Sequence, residues 1–163
     1  CQSQKLVAIC MLDGALHFFN ALVYNTHAII PVAEIETLKA KSYSGRTTTG
    51  SVTFSGFDFS KARGRDILVV EDIVDTGTTI QATLDHLKAH DAKSITLAAL
   101  FAKPDRHQPG LKEALAATPS YIGFLIPDEF VVGYGLDFNG GYRGLRHLGI
   151  LKEEAFQVAQ RER

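Results

Sequence analysis

Tryptophan is absent from this chain of 163 residues, methionine occurs once, and cysteine occurs only at Cys1 and Cys10. Two cysteines cannot build a disulfide framework, and a reducing cytoplasm is the expected setting. Cys10 falls inside the apolar run from Leu6 to Leu12, where a thiol serves as a small buried hydrophobe. No apolar stretch reaches membrane-spanning length and no secretory leader is seen, so no membrane partner is expected. An excess of one charge is also lacking. Seventeen basic residues face eighteen acidic ones, a formal net charge of −1, which gives no field to gather nucleic acid over the whole surface. Any phosphate binding must be local.

What the chain does have is 45% hydrophobic residues, enough to fill one core. A single domain over residues 1–163 is expected, with a natural segment upstream of residue 1. Leu6 to Leu12 reads as a strand, Asp13-Gly14 as a turn, and Ala15 to Tyr24 as a helix with Leu16, Phe19, Leu22 and Val23 on one face. Pro31 to Tyr43 alternates like an extended strand. From Lys41 to Ser51 almost nothing apolar anchors the chain, which suggests a flexible hairpin flap, with Val52, Phe54, Phe57 and Phe59 returning from it. A second strand-helix unit runs from Asp66 to Val70 and from about Thr78 to Ala89. Further strands are expected at Ser94 to Phe101 and Tyr121 to Ile126, a last structured segment from Phe130, and a polar, peripheral tail from Lys152. Repeated alternation of this kind predicts an α/β fold with a largely parallel central sheet and helices on both faces.

The most informative segment is Val69-Val70-Glu71-Asp72-Ile73-Val74-Asp75-Thr76-Gly77-Thr78-Thr79. An apolar strand ends in two adjacent acids, followed by a third acid and a hydroxyl-rich turn that opens a helix. Open α/β sheets put their chemistry at this place. The amides and hydroxyls of Thr76, Gly77, Thr78 and Thr79 suit a monoester phosphate. The segment departs from GxxxxGK[ST], and no GxGxxG precedes a helix. A plain helix start capped by Asp75 or Thr76 is the bland reading, but capping does not call for Glu71 and Asp72. Carboxylates accept strong hydrogen bonds from sugar hydroxyls, so the pattern fits a phosphorylated ribose with Asp75 left over as a general acid or base. Three acids so close repel one another, and a cation or a hydroxylated ligand should lie between them.

This segment resembles the phosphoribosyl pyrophosphate signature of type I phosphoribosyltransferases. Lys41-Ser42-Tyr43 with Thr49-Gly50, Lys103, and the run from Ile126 to Asn139 resemble the hypoxanthine-guanine branch. The resemblance implies that branch's fold, with a small hood beside the sheet, and transfer of 5-phosphoribosyl from phosphoribosyl pyrophosphate to N9 of hypoxanthine or guanine. IMP or GMP and pyrophosphate would be the products, with Mg²⁺ as cofactor. It also implies the roles of single residues. Glu71 and Asp72 would hold the ribose hydroxyls, directly or through metal-bound water, and residues 75 to 79 the 5′-phosphate. Asp75 would manage the proton on purine N7, Lys103 would donate to O6, and Phe130 would stack on the base while the Val131 backbone meets its edge. Asp137 would lie near the metal, making Glu71, Asp72 and Asp137 the metal set. Arg143 would reach pyrophosphate, and Ser42 and Tyr43 would close the flap. Lys103 has no acceptor for an exocyclic amine, which favours a 6-oxopurine over adenine.

Two departures stand out. Where the family often has Leu-Lys-Gly-Gly, with a cis peptide shaping the pyrophosphate site, this chain has Leu12-Asp13-Gly14-Ala15, which brings a negative charge toward a negative leaving group. Gly140 and Gly141 replace larger residues and are expected to loosen the loop before Arg143. A preference for xanthine and an RNA-binding, nucleotide-sensing role on the same fold are the alternatives. A homodimer or homotetramer is expected by analogy.

Overall fold

The computed structural model describes residues 6–26, 32–42 and 52–156. Most of the expected flap, including Tyr43 and the Ser42 side chain, lies outside the described residues.

Strand β1, Leu6–Leu12, has five buried residues in succession, as a strand covered on both faces requires. Helix α1, Leu16–Thr26, buries Phe19 against it. Strands β2, Val32–Ser42, and β3, Val52–Gly56, form an antiparallel hairpin. Strand β4, Asp66–Val74, leads into helix α2, Thr78–Ala89, which buries Ile80, Thr83, Leu84 and Leu87 at helical spacing. Strand β5, Ser94–Ala102, helix α3, Leu111–Ala116, and strand β6, Ser120–Leu125, complete the main sheet. Two short strands, β7 at Val131–Val132 and β8 at Gly149–Ile150, pair in a separate hood.

The main sheet has the order β3-β2-β1-β4-β5-β6, and every pairing except β2 with β3 is parallel. From β1 the chain crosses to β2 on one side, and from β4 it crosses to β5 on the other. Right-handed crossovers running in opposite directions put α1 and α2 on opposite faces. The reversal lies between β1 and β4, so the crevice beyond their carboxyl ends is the natural ligand site. Ile9, Leu38, Ile67, Val69, Leu84 and Leu97 lie wholly inside. Each such burial contributes about 1.5–3 kcal/mol of transfer free energy.

Several elements differ from the sequence reading. Strand β4 does not stop before the paired acids. It continues through Glu71 and Asp72 because β5 keeps pairing with it as far as Val74↔Ala102. The strand returning from the flap ends at Gly56, whose φ of +100 breaks the pleat, and Phe59 begins a 3-10 turn whose start is capped by Asp58. Phe59 there packs edge-on against Phe54 and Phe57 rather than extending β3. Helix α3 has no counterpart in the sequence reading, since six residues are too few for a legible helical period. The tail is not wholly peripheral either, because Phe156 packs against Phe130 and Phe138. Among the described residues no helix is long and apolar enough to cross a membrane.

Candidate active site

The site begins where two strands part. The register of β1 with β4 ends at Cys10↔Val70, while β1 follows β2 to Leu12↔Lys39 and β4 follows β5 to Val74↔Ala102. Residues 71 to 74 therefore have no strand on their β1 side, and a cleft opens there. Met11, Leu12, Ala40, Glu71, Ile73 and Thr79 line its inner part, about 440 Å³.

Glu71 is buried, and that burial pushes its carboxyl well above the usual glutamate range, with the adjoining Asp72 adding to the effect. Asp72 is more exposed and turns one oxygen onto the Ile73 amide at 2.9 Å. Its other oxygen lies over Gly14, where a Cβ would overlap it, so glycine is needed there for the acid to fit. Burial, followed by the charges of Glu71 and Asp72, raises the neighbouring Cys10 thiol to about 11, which keeps it an inert hydrophobe at neutral pH.

Beyond β4 the chain turns through Asp75, Thr76 and Gly77 into α2. The helix N-cap is Gly77, at φ +86, not Asp75 or Thr76. A side chain at Gly77 would run into Leu111 of α3. Thr76 and Thr78 share a hydroxyl contact of 3.2 Å, and the Thr78 hydroxyl also reaches Gln108 at 3.2 Å. The Thr78 amide is only 3.5 Å from the Thr76 hydroxyl, and the amides of residues 76, 77 and 79 donate to no carbonyl among the described residues. The turn therefore leaves donors that an anion could accept, at the positive end of a twelve-residue helix. Residues 71 and 73 to 80 line a hollow of about 290 Å³ around them.

A second cleft, about 510 Å³, is lined by Asp72, Ile73, Asp75, Lys103, Phe130, Val131, Leu136 and Asp137. Ile73 and Asp75 line both this cleft and the hollow at the start of α2. Lys103 follows β5, its amide bonded to the Val74 carbonyl at 3.0 Å, and it is only 6% exposed. A Pro104–Arg106 turn then brings Arg106 back over the site. Arg106 Nε pairs with Asp75, and its NH1 pairs with Asp128 at 3.2 Å. Arg106 thus partners one of the clustered acids, Asp75, and neither Glu71 nor Asp72, and sequence reasoning missed it. Nothing about an arginine three residues after a lysine marks it, and no local pattern gives Asp128 a role.

Phe130 lines this cleft and stays 43% exposed, with Phe138 at 5.7 Å and Phe156 at 5.3 Å in edge-type contact with it. Val131 is fixed by its pairing with Ile150 in the hood. Asp137 binds Arg143 at 2.8 Å and accepts from the Gly140 amide at 2.8 Å. That bond and the Phe138–Gly141 bridge make the 138–141 segment a closed turn, in which Gly140 takes φ +79. Arg143 NH1 also donates to the Gly135 carbonyl at 2.6 Å, and Gly135 lies directly against the Gly14 carbonyl.

The Leu12–Asp13 peptide is cis, so the substituted loop keeps the family's peptide geometry. The charge of Asp13 is not left unbalanced. Its carboxylate pairs with Lys39 at 2.7 Å, with Arg143 NH2 at 3.9 Å, and the Lys39 hydrogen bond is the first cause of its lowered proton affinity.

Glu71, Asp72 and Asp137 do not form a cage. Among the described residues no three acidic, histidine or cysteine side chains converge on one point. Asp72 and Asp137 do share the wall of one cleft, which fits an ion that takes most of its oxygen ligands from phosphates and water.

The profile of the phosphoribosyl transferase domain family matches residues 2–139. Hypoxanthine-guanine phosphoribosyltransferase of Canis lupus familiaris is 37% identical over 156 residues, covering 91% of this chain and 68% of that one. The Homo sapiens protein of the same name is 36% identical with the same coverage. Among solved structures, a hypoxanthine phosphoribosyltransferase from Staphylococcus aureus superposes with a TM-score of 0.77 at 33% identity, covering 95% of this chain and 80% of the other. A hypoxanthine phosphoribosyltransferase from Trypanosoma cruzi, in a ternary substrates complex, superposes with a TM-score of 0.83 at 29% identity and the same coverage.

Proposed function

This chain belongs to the phosphoribosyl transferase domain family, and on that premise we propose that it transfers the 5-phosphoribosyl group of phosphoribosyl pyrophosphate to N9 of hypoxanthine or guanine. IMP or GMP and pyrophosphate are the products, and the reaction is one of purine salvage. A single observation carries the reading. Asp75 lies on the shared wall of two clefts, one built of helix-start amides and hydroxyls, the other of a buried ammonium and a half-exposed aromatic ring. A phosphorylated sugar with a flat carbonyl-bearing base on C1′ matches those two halves.

The residue roles follow from what each group can do. The amides and hydroxyls of residues 76 to 79 receive the 5′-phosphate, and Glu71 and Asp72 accept from the ribose hydroxyls. Lys103 donates to O6, Phe130 stacks on the base, and the Val131 backbone meets its edge. As the bond from C1′ to pyrophosphate breaks and that from C1′ to N9 forms, positive charge grows on the ribose. The nearby acids tolerate it. Asp75 takes the proton that the base must lose, through N7. Arg143, with Lys39 beside Asp13, faces the negative charge that leaves. Asp72 and Asp137, with Glu71 nearby, are the groups that would hold Mg²⁺, whose chemistry is to neutralise the pyrophosphate oxygens. Ser42 and Tyr43 are assigned the task of keeping water from the reacting carbon.

Cytoplasmic residence and self-association as a dimer or tetramer complete the reading. Tyr121, Phe124 and Leu125, exposed on the edge strand β6, support the second of these. The direct test is Mg²⁺-dependent consumption of phosphoribosyl pyrophosphate with hypoxanthine, guanine and xanthine in competition. Turnover with hypoxanthine or guanine supports the assignment, and purified protein inert toward every purine overturns it.

A further inference from the structure

The mechanism above leaves one strong contact unused. Arg106 holds Asp75 through Nε and Asp128 through NH1, with its NH1 3.2 and 3.4 Å from the two Asp128 oxygens. The same Asp128 carboxylate stands 4.0 Å from Nζ of Lys103, and it is the nearest carboxylate to that ammonium among the described residues. Lys103 is thus a buried cation with an acid just beyond hydrogen-bonding reach.

A buried ammonium gains strongly from a carboxylate, because few other groups replace the water it has lost. The gap between Lys103 and Asp128 is short enough for one rotamer change to close. What opposes closure is the guanidinium, whose planar fork grips Asp128 while its Nε stays on Asp75. Backbone contacts set this arrangement. The Arg106 amide bonds to the Lys103 carbonyl at 3.0 Å, and the loop carrying Asp128 is tied to the end of β5 by Ile126 N to Ala102 O at 2.9 Å. Two cations, Lys103 and Arg106, are therefore in competition for one acid.

We infer that Arg106 determines base specificity as a positioning residue: by occupying Asp128 it keeps the Lys103 ammonium free to donate to a 6-oxo group. This rests on the proposed function and goes further, because it assigns the discrimination between oxo- and aminopurines to a residue that does not itself touch the base. Removing Arg106 releases Asp128, which then takes Lys103 away from O6. Removing Asp128 as well leaves Lys103 with no competitor and gives the donor back.

The experiment is equilibrium binding of IMP and AMP by calorimetry to the wild-type chain, Arg106→Ala, Arg106→Lys and the double variant Arg106→Ala with Asp128→Ala, alongside melting temperatures. Losing a charged donor to O6 weakens IMP binding by about 10-fold to 100-fold, so Arg106→Ala should lose that much while AMP binding is unchanged. Arg106→Lys, which keeps a cation beside Asp128, should retain most of the preference. The double variant should recover IMP affinity to within a few-fold of wild type, a rescue that a merely structural arginine would not show. The inference is overturned if Arg106→Ala keeps its IMP preference, or if adding Asp128→Ala restores nothing. Wild-type protein that binds neither nucleotide would overturn the proposed function itself, and this inference with it.

Discussion

At the scale of single residues, the site runs on how charges are partnered. Glu71 is buried with its proton affinity raised, Asp72 spends one oxygen on a backbone amide, and Asp75 meets Arg106. Each of the three acids that repel one another in sequence thus finds a different answer. Asp75 alone lines both the hollow at the start of α2 and the cleft beside Lys103 and Phe130 while projecting from a turn rather than a strand. Asp75→Asn keeps the shape and removes the base, so kcat should fall about 10²-fold to 10⁴-fold with the KM for phosphoribosyl pyrophosphate within twofold of wild type. Steady-state kinetics with hypoxanthine checks this, and an equal loss in KM would move Asp75 from proton transfer to binding.

At the scale of elements, the turn that opens α2 depends on the packing of a helix remote in sequence. Gly77 takes φ +86 and lies against Leu111 of α3, so two constraints fall on one position. Gly77→Ala should cost about 1–3 kcal/mol of stability and raise the KM for phosphoribosyl pyrophosphate. Leu111→Ala in the same chain should relieve part of the stability loss, giving a non-additive cycle in urea denaturation. Additive losses would mean that the backbone angle alone matters. Strands β4 and β5 are tied at their starts by Asp66, which accepts from Ser94 at 2.6 Å and Lys93 at 3.2 Å. Those partners lower its proton affinity below the usual aspartate range. A carboxyl with a folded value below its unfolded one adds stability above the unfolded value and loses it as pH falls through the folded one. Asp66→Asn should therefore melt lower than wild type at neutral pH and converge with it at the acid end of a melting-temperature series. A constant gap across that series would rule the linkage out.

At the scale of the whole molecule, the reversal in strand order gathers loops from distant parts of the chain around one crevice. Loop 12–15, turn 75–77, Lys103 and segment 130–143 meet there, joined by the Gly14–Gly135 contact and the reach of Arg143 from Asp137 to Asp13. A ligand that bridges these parts stabilises all of them together. At 100 times its dissociation constant, phosphoribosyl pyrophosphate with Mg²⁺ should add about 2.7 kcal/mol, or roughly 5–10 °C in melting temperature. Chelating the metal should abolish the shift. A shift of the same size in excess EDTA would show that the ion has no part in binding.

The order of strands and helices, the hydroxyl-rich turn that opens α2 and the paired acids were legible in the sequence because each rests on local pattern: apolar runs, helical spacing, small polar residues opening a helix. The extent of β4 was not legible. Two acids read as the end of a strand, and only the ladder to β5, which lies more than twenty residues away in sequence, carries the strand on through them. Helix α3 was too short to show a period, and Phe156 looked like part of a polar tail until the aromatic cluster around Phe130 gave it a place. Asp13 could be read only as a liability, since its partner Lys39 lies on a neighbouring strand. By itself the sequence determined which chemistry is present, because composition and local spacing fix the kinds of groups and their order. Tertiary structure alone decided how those charges are paired, placing Arg106 between Asp75 and Asp128 beside Lys103, because ion pairing depends on distance in space and the chain brings these residues together only by folding.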